Sequence, residues 1–211
     1  HLKKPLFVVF FVLLIDQSLK IWVKTNMLLG EEINVLGNWF IIHFTENNGM
    51  AFGLEFAGEN GKLFLSIFRI IAVAGISYYL YTLSKSGAHL GLRICIGLIL
   101  AGALGNILDS AFYGLIFNES YHDLAKLFPA DGGYATFLHG RVVDMLYFPV
   151  LEGHFPAWFP FWGNESFIFF RPVFNVADSS ITIGVAIIIL FQKKFFEEKK
   201  SRENIAEMQT A

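Results

Sequence analysis

Two aspartates stand in apolar surroundings where a carboxylate is expensive. One is Asp144, in Gly140-Arg141-Val142-Val143-Asp144-Met145-Leu146; the other is Asp178, in Phe174-Asn175-Val176-Ala177-Asp178-Ser179-Ser180, at the head of the last strongly apolar run. An acid at the edge of a membrane helix is a functional-site candidate whose partner has to be found. On a helix Asn175, Asp178, Ser179 and Thr182 share one face, and a polar stripe of that kind looks into the protein rather than into lipid. Taken alone, Asp144 reads as a solvated loop acid; as a partner for Asp178 it reads differently. Two carboxylates brought close together cannot both ionise cheaply, so one keeps its proton. The ionised acid can then activate water while the protonated one polarises a carbonyl, the division of labour of an acid–base hydrolase.

The remaining polar residues in apolar runs have simpler readings. Asp16 and Lys20, four apart, form an ion pair that lets both enter the membrane edge. Asn106 and Asp109 share a helix face; they serve either as hydrogen-bonding groups between helices, the favoured reading, or as part of a site. Arg69 either snorkels or pairs. Ser179 and Ser180 have no evident base, and His43, His122, His139 and His154 lack the HExxH spacing of a zinc site. No metal and no cofactor are expected. The triplets Asn118-Glu119-Ser120 and Asn164-Glu165-Ser166 match a glycosylation acceptor by chance. The single cysteine, Cys95, lies in an apolar run and reads as a packing residue.

The elements that position these residues follow from composition. Of 211 residues 55% are hydrophobic, 24 are Phe and only 16% are charged, with mean hydropathy +0.52; a soluble domain carries about 25% charge. The net charge of -2 and the absence of a basic face give no sign of nucleic-acid binding. One integral membrane domain over residues 1–211 is expected, mainly α. Four segments approach the roughly 20 residues needed to span: 5–23, 62–83, 92–117 and 172–192. Lys3 and Lys4 precede the first, no small-x-small cleavage site follows it, and it reads as a retained helix. Four spans place Lys3, Lys4, Lys85, Arg93, Lys193, Lys194, Lys199, Lys200 and Arg202 at one face. By the positive-inside rule both termini are then cytoplasmic, 24–61 and 118–171 face outward, and 193–211 is a cytoplasmic tail, either a solvated helix or disordered. Alternation over Ile33–Phe44 predicts short strands of a small extracytoplasmic sheet, with turn chemistry at Asn48-Gly49. Gly97, Ala101 and Gly105 form a small-residue seam for close helix approach. Phe155–Phe170, rich in Trp and Phe and broken by Pro, suits an interfacial segment.

Five blocks together resemble the lipoprotein signal peptidases, the bacterial type II signal peptidase family. These are Asp16-Gln17 with Lys20; Thr45-Glu46-Asn47-Asn48-Gly49-Met50-Ala51-Phe52; Gly105-Asn106-Ile107-Leu108-Asp109; Val142-Val143-Asp144; and Phe174-Asn175-Val176-Ala177-Asp178-Ser179. The resemblance implies an inner-membrane aspartyl endopeptidase that removes the signal peptide from diacylglyceryl-modified prolipoproteins, cutting before the lipidated cysteine near the outer membrane face. It implies Asp144 and Asp178 as the catalytic pair. Asp16, Lys20, Asn47, Gly49, Asn106, Asp109, Arg141 and Asn175 are implied as supporting or substrate-contacting residues. The implied partners are lipidated prolipoproteins and membrane lipid, with globomycin and myxovirescin as inhibitors, and the chain is expected to act as a monomer.

Two departures stand out. Ser110 occupies a position where the family has Arg, and Arg141 is the candidate substitute. The stretches on either side of Asp144 are also longer than the family pattern, and the aromatic segment is expected to pack over the site or rest on the outer leaflet. The competing readings are a proton-coupled transporter and a non-catalytic scaffold. The first conflicts with acids confined to one face and the absence of inverted repeats. The second leaves two outward acids in apolar surroundings unexplained.

Overall fold

The computed structural model describes residues 1–48, 58–149, 151–154, 166–169 and 173–210, with side chains over 1–48, 61–149 and 173–196. The helices are α1 (Lys3–Asn26), α2 (Gly58–Lys85), α3 (Leu90–Leu108), α4 (Gly114–Ile116) and α5 (Val176–Thr210), with a π-helical turn at Asp109–Tyr113 between α3 and α4. Strands β1 (Glu32–Leu36), β2 (Phe40–Asn47) and β3 (Val142–Tyr147) form an antiparallel sheet in the order β1-β2-β3. A second antiparallel pair joins β4 (Leu151–His154) and β5 (Ser166–Phe169).

Among the described residues four helical segments are long and apolar enough to cross a membrane: Lys3–Asn26, Gly61–Lys85, Leu90–Ile116 and Val176–Phe196. Their packing is inside-out relative to a soluble protein. Phe7, Phe10, Phe64, Ile71 and Leu190 are exposed, while Asp16, Lys20, Lys24, Asp109 and Asn175 are fully buried. Lipid solvates the first set, and only the protein can satisfy the second. The multi-pass membrane class and the small sheet thus agree with the sequence reading.

α3 is the central helix and packs against α1, α2 and α5. A Cβ at Gly105 would lie 2.7 Å from Asp16 Oδ2 of α1 and 3.1 Å from Ala177 Cβ of α5, and one at Gly102, beside the seam, would lie 2.2 Å from the Ala177 carbonyl oxygen of α5. The small-residue seam therefore serves two neighbours at once. At one end of the bundle Arg93 Nη1 donates to the His1 carbonyl at 2.6 Å, and Phe195 meets His89. This end holds Lys3, Lys4 and Lys85; the sheet and both site acids are at the other.

Several boundaries differ from expectation. Strand β2 continues through Thr45, Glu46 and Asn47, since these residues pair with β3. Asp144 lies on β3 rather than in a loop, opposite Thr45. The third span breaks its α-helical hydrogen bonding at Asp109, where the π turn begins. α5 runs past the expected end of the fourth span to Thr210, with one non-helical residue at Phe191, so the tail is helical, one of the two forms expected for it. Gly49, the Asn48-Gly49 turn and residues 155–165 and 170 of the aromatic segment lie outside the described residues; its residues 166–169 belong to β5.

The tightness of the α3–α5 contact gives a direct test. Gly102→Val should push α5 off α3, lowering stability by about 1–3 kcal/mol and displacing Asp178. Gly75→Ala, with open space around its Cβ position, should be neutral or slightly stabilising. Thermal unfolding in detergent measures both.

Candidate active site

α5 starts where it does because Asn175 caps it. Asn175 Oδ1 accepts from the Asp178 backbone N–H at 2.8 Å, and Asp178 Oδ2 accepts from the Asn175 N–H at 3.4 Å. This is a reciprocal capping box built from Asn and Asp. It places the Asp178 carboxylate in the first turn, where the partial positive charge of the helix end favours an anion.

β3 brings the other acid. The Met145 and Leu146 N–H groups both donate to the Phe174 carbonyl, at 3.1 and 2.7 Å, tying the strand to the residue that leads into α5. Asp144 is thereby held beside Asn175, whose Nδ2 donates to Asp144 Oδ1 at 2.8 Å and also to Asn106 Oδ1 at 3.1 Å. Asn106 Nδ2 in turn donates to Asp178 Oδ1 at 2.8 Å. Two amides therefore bridge the two carboxylates. Asn47 Nδ2 donates to the other oxygen of Asp144. Asp144 is 4% exposed. Burial, followed by the charge of Asp178, pushes its pKa up to about 7.

Beneath this lies a buried ionic cluster. Lys20 Nζ sits 2.9 Å from Asp16 Oδ2 and 2.8 Å from Asp109 Oδ2, and donates to Asn106 Oδ1 at 3.1 Å. Gln17 Nε2 donates to Asp109 Oδ1 at 2.9 Å, and Tyr113 donates to Gln17 Oε1 at 3.1 Å. Backbone donors complete the set: Ala177 N–H to Asp16 Oδ1 at 2.9 Å, and Val143 N–H to Asp109 Oδ2 at 3.2 Å. The Asp16–Lys20 pair expected from spacing is present, and Asp109 joins it as a third member.

Asp16, Lys20, Asn47, Asn106, Asp109, Asp144, Asn175 and Asp178 thus form one connected network. Arg141 stands apart from the acids: its guanidinium binds Glu119 at 2.6 and 2.9 Å and Glu46 at 2.9 Å, and stacks over the Tyr134 ring. The guanidinium that reaches Ser110 belongs instead to Arg69 of α2, with Nη1 3.4 Å from Ser110 Oγ. Sequence reasoning also missed Lys24, which is fully buried, pairs with Glu46 and donates to Ser120 Oγ at 3.0 Å. The signal was available: Asp16, Lys20 and Lys24 repeat every four residues along one face of α1. Among the described residues no three His, Cys, Asp or Glu side chains converge as a metal site.

The fold is that of a multi-pass membrane protein, a four-span helical bundle with two amide-bridged acids at one end. A family model described as signal peptidase (SPase) II matches residues 8–194. A lipoprotein signal peptidase of Porphyromonas gingivalis is 54% identical over 180 residues, covering 85% of this chain and 78% of that one. One from Amoebophilus asiaticus is 38% identical over 197 residues, covering 92% and 79%. A bacterial membrane enzyme solved by the in meso method at 1.9 Å resolution superposes with TM-score 0.58 at 27% identity, covering 89% of this chain and 91% of that one. The chain belongs to the signal peptidase II family, the enzymes that cleave signal peptides from prolipoproteins.

Removing the central cation should be costly. Lys20→Met leaves Asp16 and Asp109 buried without their counter-charge and should destabilise the protein by about 3–5 kcal/mol. Adding Asp109→Asn should recover part of that loss. Thermal unfolding of the three proteins in lipid decides it.

Proposed function

We propose that Asp144 and Asp178 are the catalytic pair, and that they hydrolyse the peptide bond preceding the diacylglyceryl-modified cysteine of a prolipoprotein. The observation that carries this reading is the amide bridge from Asp144 through Asn175 and Asn106 to Asp178. It holds two acids together while leaving them in unlike environments. Asp144, buried and pushed up to about 7, keeps its proton and hydrogen-bonds the scissile carbonyl. Asp178, half-buried at a helix N-terminus, is the base.

The step balances with the chain's own groups. Asp178 takes a proton from water as the water oxygen bonds to the carbonyl carbon, while Asp144 stabilises the developing oxyanion. The C–N bond then breaks, the proton held by Asp178 passes to the leaving amine, and the signal peptide is freed with a new carboxyl end. Asn47, Asn106 and Asn175 orient the two carboxylates; Asp16, Lys20 and Asp109 hold the helix ends beneath them. Arg141 acts through Glu46, which precedes Asn47 on β2, and Gly49 lies just beyond it.

The membrane setting fits this chemistry. The Lys-rich end of the bundle is cytoplasmic by the positive-inside rule, so both termini lie inside and the acids lie near the outer face of the bacterial inner membrane. A substrate whose signal helix spans the bilayer, and whose acyl chains sit in the outer leaflet, presents its scissile bond at that depth. Globomycin and myxovirescin would compete for the same space. The chain acts as one membrane domain and as a monomer.

Purified protein incubated with a lipidated prolipoprotein tests the pair. Asp144→Asn and Asp178→Asn should each cut turnover by at least about 100-fold while leaving the protein folded in the membrane; near-normal turnover by either would refute the pair. For the parent, kcat/KM should fall as pH rises through about 7, because Asp144 then loses the proton it needs. Asn47 favours the charged form of Asp144, so Asn47→Ala should move that limb to higher pH.

A further inference from the structure

The end of the bundle away from the acids holds a cavity of about 280 Å³, lined by His1, Lys3, Lys4, Leu90 and Arg93. It sits where two spans begin, Lys3–Asn26 and Leu90–Ile116. That is the depth of lipid headgroups, at the edge of the apolar layer. Lys3, Lys4 and Arg93 bring three cations to its wall, and among the described residues no Asp or Glu joins them there. Neither α1 nor α3 has an acid in its first turn. Like charges gathered in this way repel one another until an anion offsets them.

The donors around the cavity are also unfilled. Arg93 is only 6% exposed. Its Nε donates to the Ala88 carbonyl at 2.9 Å and its Nη1 to the His1 carbonyl at 2.6 Å, while among the described residues Nη2 has no acceptor. α1 opens at Leu2 without a side-chain cap, and among the described residues the Lys3 and Lys4 amides have no acceptor either. A buried guanidinium with a free donor, beside an uncapped helix N-terminus, is a donor set that suits phosphate. The surroundings favour a phosphate that carries acyl chains. Leu6 and Phe7, both exposed, follow Lys3 by three and four residues, so they share its face of α1 one turn deeper in the membrane. Phe11, a further turn along, meets Phe7 with ring centroids 4.5 Å apart. An amphiphile with its phosphate in the cavity can lay its chains along this apolar strip.

We infer that this cavity binds the phosphate of an anionic phospholipid from the leaflet at the Lys-rich end, through Lys3, Lys4, Arg93 and the first amides of α1. With the orientation proposed above, that leaflet is the cytoplasmic one. Basic pockets between spanning helices suit such headgroups, because each cation near the surface adds to the attraction. The site is independent of the acid pair, which lies at the opposite end of the bundle.

Native mass spectrometry of the full chain in neutral detergent, titrated with phosphatidylglycerol or with phosphatidylcholine of the same acyl chains, tests this. The chain should retain one phosphatidylglycerol in preference to phosphatidylcholine, by about tenfold or more; equal retention would overturn the inference. Lys3→Gln combined with Lys4→Gln should weaken phosphatidylglycerol binding about 30-fold. Lys193→Gln combined with Lys194→Gln removes the same charge from the same end but outside the cavity, and should weaken it less than about threefold. Equal losses in the two double variants would show diffuse surface attraction and overturn the site. Leu90→Trp fills the cavity without changing charge, so it carries the test if the Lys3 and Lys4 variant does not accumulate. It should abolish the preference for phosphatidylglycerol, and a preference that survives would overturn the inference. Inorganic phosphate and glycerol 3-phosphate at the lipid's concentration should leave the complex intact; displacement by either would assign the cavity to a free phosphate and overturn the lipid.

Discussion

The buried ammonium of Lys20 is the interaction on which the site end of this protein depends. A charge inside a membrane protein is tolerated only when paired and fully hydrogen-bonded. Lys20 meets that condition by drawing Asp16 from its own helix and Asp109 from the end of α3. Each carboxylate then needs further donors, and the backbone supplies them: Ala177 N–H at the start of α5 and Val143 N–H on β3. Satisfying one cation thus fixes α1, α3, α5 and β3 relative to one another. Val143 and Ala177 are the residues immediately before Asp144 and Asp178, so the structural cluster sets the spacing of the proposed pair directly.

Above that cluster, asparagines do work that charged groups could not. Asn106 and Asn175 each use both ends of a neutral amide, bridging two carboxylates without adding a charge that would neutralise either. Asn175 also caps α5, so the same side chain ends the loop, starts the helix and aims Asp178. The π turn at Asp109 belongs to this arrangement. It interrupts the α-helical hydrogen bonding where Asp109 and Ser110 face the site, and such turns are frequent at functional positions.

A second polar cluster supports the sheet. Lys24, buried beneath the rings of Phe44, Phe117 and Tyr134, pairs with Glu46, and Arg141 reaches Glu46 from the residue just before β3. Glu46 precedes Asn47, so this cluster holds in place the strand that delivers an amide to Asp144. α1 therefore carries a three-step polar ladder of Asp16, Lys20 and Lys24, its lower part under the pair of acids and its upper part under β2.

Much of this could be read from the chain before folding. Hydropathy alone marks four spans, because lipid requires long apolar runs with internally satisfied backbone. The cost of burying charge singles out Asp16, Lys20, Asp109, Asp144 and Asp178. Spacing within one helix settles the Asp16–Lys20 pair. What tertiary structure alone decided are the relations between segments far apart in sequence. Asp144 reads as a loop acid until the hydrogen bonds to Phe174 make its segment a strand beside α5. Arg141 reads as a plausible neighbour of the acids, yet two glutamates hold it elsewhere. Arg69 reads as a cation that could go either way until α2 packs against α3 and brings it to Ser110. Periodicity records which face a residue occupies on its own element, but not which neighbour that face will meet; that is set by packing and by the demand that every buried charge find a partner.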